Sequence, residues 1–101
     1  MRRNARIDVN QPEIVAAVRK MGCTVQHLHT IGQGCPDILV GVSGINLLWE
    51  IKDGEKPPSG QRLTVDELFW HEAWRGQVAV VNSIEKAIST INWVRKSHDA
   101  R

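Results

Sequence analysis

A chain of 101 residues, 42% hydrophobic and 24% charged, has the size of one globular domain, which buries roughly two-thirds of its unfolded surface. The sequence predicts no second domain, no membrane span and no secretory leader, since no apolar run is long enough and Met1-Arg2-Arg3 opens no signal-peptide pattern. A formal charge of +2 neither demands nor forbids a nucleic-acid partner, so the placement of charge decides more than its total.

Residues 1–7 are basic and aperiodic and read as a tail, with Arg2, Arg3 and Arg6 available as a phosphate-contacting arm or simply as a solvated terminus. Asn10 and Pro12 suit a helix start, Ile14, Val15, Val18 and Met21 recur at helical spacing, and Gly22 ends the helix. Thr24 to Thr30 reads as a strand and Ile31 to Gly34 as a turn. Cys23, His27, His29 and Cys35 raise the thought of zinc, but their spacing matches no usual zinc pattern, and a chain with two cysteines and no export signal is expected to keep free thiols.

Pro36 fixes its own backbone ahead of the apolar run Ile38 to Val42, Ser43-Gly44 supplies a turn, and Ile45 to Lys52 returns as a strand rich in branched and aromatic residues. Because side chains alternate on a strand, Glu50 and Lys52 share the face opposite Trp49 and Ile51. Folding the hairpin carries Asp37 toward them. Two carboxylates so close repel unless a cation lies between them, and a hard ion with oxygen ligands, Mg²⁺ or Mn²⁺, fits that need. Lys52 would then offset charge on a phosphate.

Residues 53–62 form a loop by composition, with Lys56 and Arg62 as candidate DNA contacts. Thr64-x-x-Glu67 is a capping-box pattern opening a second helix, whose Val65, Leu68, Phe69 and Ala73 are predicted to face the core. Trp70 and Trp74 lie one turn apart, so one suits the core and the other a dimer contact, while His71 reads as an incidental surface residue. After Gly76 come a strand over Val78 to Val81 and a last helix, capped by Asn82-x-x-Glu85 and striped with Ile84, Ala87, Ile88, Ile91 and Val94. The expected organisation is one domain over residues 8–94, with 95–101 as a basic tail. The order α-β-β-β-α-β-α predicts an α/β fold with a mixed sheet between helices.

Pro36-Asp37 followed by Glu50-Ile51-Lys52 resembles the signature of the PD-(D/E)XK nucleases. With Gly34-Cys35, Leu63-Thr64, Trp70-His71-x-x-Trp74-Arg75-Gly76 and Gln77 to Val81, the chain resembles a standalone virus-type replication-repair nuclease (VRR-NUC) domain over most of its length. The resemblance implies a restriction-endonuclease-like core with a mixed four-stranded sheet, and a metal-dependent DNA endonuclease acting as a homodimer on branched DNA such as a four-way junction, in the manner of a Holliday-junction resolvase. A cytoplasmic location in a bacterial or phage-infected cell follows from it. By the same resemblance Asp37 and Glu50 hold metal, Ile51 offers its backbone carbonyl, Lys52 assists, and Glu13, an acidic residue on the first helix, completes the set. Asn10-x-x-Glu13 is equally a capping box, so Glu13 has two readings. Glu67 stands where the family usually has Gln: it either adds a carboxylate near the metal or caps its helix, the cap being the preferred reading. Two other functions stay open, a DNA-binding module with an inactive site and a restriction-like nuclease with base specificity.

Overall fold

The structure, a computed structural model, describes residues 7–99; Arg2, Arg3, Arg6 and Arg101 lie outside the described residues. Its elements are α1 (Gln11–Lys20), β1 (Thr24–His27), β2 (Ile38–Val42), β3 (Ile45–Ile51), a 3-10 turn (Pro58–Gln61), α2 (Val65–Ala73), β4 (Ala79–Val81) and α3 (Ile84–Asp99). The sheet is four-stranded in the order β1-β2-β3-β4, antiparallel except where β4 joins β3 in parallel. This is the α/β class and element order expected from the sequence.

The β2–β3 hairpin is set by its turn. Val42 pairs with Ile45, leaving Ser43 and Gly44 as a two-residue connection with φ of 52° and 76°, the positive-φ geometry that matches the twist of the flanking strands. Alternation then puts Ile38, Val40 and Val42 with Leu47, Trp49 and Ile51 on one buried face, against Ile14, Val15 and Val18 of α1 and Ala87, Ile91 and Val94 of α3. Each such aliphatic side chain stabilises the fold by about 1.5–3 kcal/mol. Trp49, wholly buried, is the residue whose truncation costs most, about 3–5 kcal/mol.

Helices α1 and α3 lie side by side and run parallel. At their starts, Asn10 Nδ2 donates to the carbonyls of Lys52 at 3.0 Å and Asn82 at 3.3 Å; at their ends, Arg95 Nη2 donates to the Met21 carbonyl. Both N-termini therefore sit at the end of the sheet where β3 finishes, and both C-termini at the hairpin end.

Several local expectations are corrected. Asn10 makes no cap bond to its own helix, because its amide is used between α1, β3 and the start of α3. Ser83 rather than Asn82 caps α3, accepting the Lys86 N–H at 3.0 Å. Strand β1 stops at His27, since the Ile31 N–H turns back onto the Leu28 carbonyl at 2.9 Å. Helix α3 continues to Asp99, so Arg95 and Lys96 are helical rather than part of a tail. The largest correction concerns α2: Val65, Leu68 and Phe69 are 68%, 46% and 65% exposed, and the helix instead turns Glu67 and His71 inward. The two cysteines are free thiols.

Candidate active site

Asp37 sits where two ladders run one step past the end of β2. Its N–H donates to the Trp49 carbonyl at 3.0 Å and its carbonyl accepts the Leu28 N–H at 2.8 Å. Its side chain continues the pattern, Oδ2 accepting the Ile51 N–H at 2.7 Å. The carboxylate thus replaces a backbone acceptor, which fixes its direction. Glu50 and Lys52 leave β3 on the face away from the core, yet Glu50 is only 2% exposed. Lys52, its N–H held by the Val81 carbonyl at 3.1 Å, places Nζ 2.8 Å from Glu67 Oε1 and 3.9 Å from Glu50 Oε2.

Glu67 reaches this group because of how α2 is held. Thr64 Oγ1 accepts the Glu67 N–H at 3.2 Å and Glu67 Oε1 accepts the Thr64 N–H at 2.9 Å, so the capping box predicted from Thr64-x-x-Glu67 is formed. The same Oε1 also takes the Lys52 ammonium. Cap and site partner, posed as alternatives, are one oxygen. The loop before Asp37 sets the helix position: a Cβ on Gly34, at φ 82°, would stand 2.2 Å from the Asp66 carbonyl oxygen, so only glycine permits this approach.

Burial, then the charges of Asp37 and Glu67, push the Glu50 carboxyl up to about 10. Asp37 is also raised, chiefly by burial, although the Ile51 N–H works the other way. Burial would raise Glu67 too, but hydrogen bonds from Lys52 and Thr64 outweigh it and hold it below the ordinary glutamate value. Burial disfavours the Lys52 ammonium, yet the bond to Glu67 and the charges of Glu67, Glu50 and Asp8 keep its pKa above the usual lysine value. Without a cation, Glu50 therefore holds a proton within reach of Asp37 and Glu67. A divalent ion answers the same need.

Whether these residues fit such an ion is decided at Glu50. Once ionised, Glu50 has a buried Oε1 with no hydrogen-bond partner among the described residues, a costly state for a carboxylate oxygen that either the proton or a ligated cation relieves. Among the described residues no three His, Cys, Asp or Glu side chains are already gathered for metal, and Glu67 is engaged by Lys52 and Thr64. Asp37 and Glu50 alone, with solvent filling the remaining positions, form the sparse oxygen set that Mg²⁺ accepts. Ile51 gives its N–H to Asp37 and buries its side chain; its carbonyl lies between Glu50 and Lys52 in the chain.

A cavity of about 470 Å³ opens over this group, lined among others by Asp8, Glu50, Lys52, Asp53, Lys56, Arg62 and Glu67. Lys56 and Arg62, the loop cations singled out in the sequence, are thus at the site, and Lys56 Nζ stands 3.9 Å from Asp8 Oδ1. Glu13 is exposed on α1 and, like Asp37, does not line the cavity, whereas Asp8 does. Asp8 was missed because it precedes the helix, and the only signal for it was an acid within reach of the helix start. His71, expected to be incidental, has a buried Nε2 without a partner among the described residues, and burial, seconded by the Lys52 charge, lowers its pKa. Cys35 lies close enough for Glu50 and Asp37 to reinforce burial in raising its thiol pKa.

No family model, curated protein or solved structure matches the chain. No helix among the described residues is long and apolar enough to cross a membrane.

Proposed function

We propose that the chain is a divalent-metal-dependent DNA endonuclease of the VRR-NUC kind, cutting branched DNA as a homodimer. The observation that carries this reading is Glu50: a carboxyl buried between Asp37 and Glu67, with one oxygen unpartnered and an ammonium 3.9 Å from the other. Such an arrangement is expensive for a fold and suits a site that receives a cation and a phosphate.

In the reaction a water gives up a proton to solvent as its oxygen bonds to phosphorus, and the bond from phosphorus to a sugar oxygen breaks, that oxygen taking a proton from solvent to leave as a hydroxyl. Mg²⁺ or Mn²⁺, when bound, supplies Lewis-acid polarisation and makes water a better nucleophile. Asp37 and Glu50 are the residues that hold it. Lys52 offsets the negative charge that grows on the phosphoryl oxygens, and Glu67 positions Lys52. Lys56 and Arg62 meet flanking phosphates at the cavity mouth.

The exposed apolar face of α2, Val65, Leu68 and Phe69, supports the homodimer, since a face of this kind flanking a polar cavity suits an interface. A two-fold dimer also presents two sites to the two symmetry-related strands of a four-way junction. One observation favours the inactive binding module: the Lys52 ammonium is tied to Glu67 at 2.8 Å. Incubating the protein with linear, flap and four-way-junction DNA in Mg²⁺ or Mn²⁺ tests the proposal. Cutting lost in Asp37→Ala and Glu50→Ala supports it; binding without cutting of any DNA, in either metal, refutes it in favour of the module.

A further inference from the structure

By composition residues 53–62, with Gly54, Pro57, Pro58 and Gly60, read only as a connecting loop. In the structure they form closed turns. The Lys56 N–H donates to the Asp53 carbonyl at 3.1 Å and the Gly60 N–H to the Pro57 carbonyl at 2.8 Å, while Asp53 Oδ1 accepts the Glu55 N–H at 2.9 Å. Turns alone do not fix their own position on a protein, and here one side chain does so. Gln61 Nε2 donates back to the Lys56 carbonyl at 2.6 Å and to the Gly54 carbonyl at 3.4 Å. Its Oε1 accepts Asn82 Nδ2 at 2.9 Å. Asn82 directly follows β4, the strand paired with β3, and its backbone carbonyl takes the Gly54 N–H at 3.0 Å. Asn10 Nδ2 reaches that same carbonyl and the Lys52 carbonyl. The glutamine amide thus uses both its donor and its acceptor to tie the loop to the strands that carry the site.

The tied segment brings charge to the cavity. Lys56, Gly60 and Arg62 line the same cavity as Glu50 and Lys52. The Lys56 stem lies against Gly60, where a Cβ would stand 3.0 Å from Lys56 Cβ and 3.2 Å from its Cδ, and Nζ ends 3.9 Å from Asp8 Oδ1. Arg62 is the next residue after Gln61. Against these cations and Lys52 the cavity carries the carboxylates of Asp8, Glu50, Asp53 and Glu67, so its attraction for a phosphate chain depends on where the two loop cations are held. Were the loop free, it would have to be ordered at each binding event, and each long side chain immobilised then weakens affinity several-fold. Gln61 itself does not line the cavity. We propose that Gln61, anchored on Asn82, is a positioning residue for DNA: it keeps Lys56 and Arg62 in their phosphate-binding arrangement, at a fixed offset from Glu50 and Lys52, before DNA arrives. This rests on the nuclease reading and adds to it the device that prepares the surface for substrate.

Gln61→Met keeps the length of the side chain and removes its hydrogen bonds. Affinity for four-way-junction DNA in Ca²⁺ and steady-state cleavage in Mg²⁺ are measured for the parent and Gln61→Met. The same substitution is also made in a chain already carrying Lys56→Ala and Arg62→Ala. In the parent background Gln61→Met is expected to weaken binding and raise KM about tenfold. Its kcat is expected to stay within about twofold of the parent's, since contacts away from the cut bond are the same in the ground and transition states. In the chain without the two cations Gln61→Met is expected to change nothing further, because the groups it positions are gone. A glutamine that merely stabilised the fold would cost as much in both backgrounds. Asn82→Ala, which removes only the anchor of Gln61, is expected to give part of the loss, about threefold. In the parent without DNA the Lys56 and Gly60 amides are expected to be rigid on the nanosecond scale, with order parameters of about 0.85. Equal affinities for the parent and Gln61→Met, an undiminished loss in the chain without the cations, or parent order parameters below about 0.6 at these amides overturn the proposal while leaving the nuclease reading intact. A parent that neither binds nor cuts DNA overturns both.

Discussion

Glu67 and Lys52, fifteen residues apart in the chain, meet at 2.8 Å, through the same carboxylate oxygen that caps α2. The orientation of the helix and the direction of the ammonium are therefore set by one atom. Replacing Glu67 with Gln keeps an oxygen for the Thr64 N–H and removes only the charge. Cleavage is expected to be retained or faster, because Lys52 is freer to meet phosphate, and stability to fall by about 1 kcal/mol. Activity titrated against Mg²⁺ checks this: a large rightward shift would show that Glu67 contributes directly to holding metal.

Glu50→Ala is expected to abolish cleavage and leave DNA binding in Ca²⁺ at or slightly above the parent level, since phosphate affinity comes from the cations and not from this carboxylate. Lys52→Ala also stops turnover but binds no more tightly than the parent. Gel shifts beside cleavage assays separate the two. Cutting by pure Glu50→Ala at the parent rate would sink the proposed site.

The Glu50 carboxyl gives the metal-free protein a pH dependence whose sign is fixed. Its pKa is near 4.5 when unfolded and about 10 when folded, so the folded state binds more protons between those values. Its contribution to stability is greatest below the lower value and is lost as pH rises toward the upper one. The melting temperature without divalent ions is expected to fall from pH 6 to pH 9, to fall less in Glu50→Gln, which carries no titrating proton, and to recover on adding Mg²⁺. A parent and a Glu50→Gln variant with parallel pH profiles would contradict the placement of this charge.

The exposed face of α2 predicts a dimer. A particle of about twice 11.3 kDa is expected in sedimentation, and Phe69→Glu should shift it to the single chain without unfolding it, because Phe69 is 65% exposed in the protomer. A parent that sediments as a single chain at high concentration would remove the homodimer from the proposal.

Gly34→Ala should act at a distance. A Cβ there meets the Asp66 carbonyl at 2.2 Å and sits at a φ of 82°, so α2 must move and take Glu67 off Lys52. A stability loss of about 2 kcal/mol is expected, together with a fall in turnover that Glu67→Gln does not show, because the whole helix is displaced and not one charge removed. Turnover equal to the parent would mean that the helix position does not control the site.

The hairpin was legible in the sequence because two independent signals agree there: alternation from Ile38 to Ile51 and a Ser43-Gly44 turn that admits positive φ. Alternation alone also placed Glu50 and Lys52 on one face. The orientation of α2 was not legible. Val65, Leu68 and Phe69 form as good a helical stripe as Glu67 and His71 do, and the choice between them is made by Lys52 and Gly34, residues distant in the chain. Glu13 was singled out because the resemblance implies an acidic residue of the first helix at the metal site, while the residues alone read it as a capping partner of Asn10. The capping pattern is not used, since Asn10 is drawn to the Lys52 carbonyl forty-two residues away; Asp8, ahead of the helix, lines the cavity.

Asp37 accepts the Ile51 N–H in place of a backbone carbonyl, so the site and the register of the sheet are a single specification. A hairpin slipped by one residue would send Glu50 to the opposite face and leave Asp37 without its donor. Misregistered chains, formed during synthesis or after partial unfolding, would then present no paired carboxylates at all. On the proposed nuclease reading, the protein is in this way unarmed until its strands are correctly aligned, and its chemistry serves as a check on its own folding.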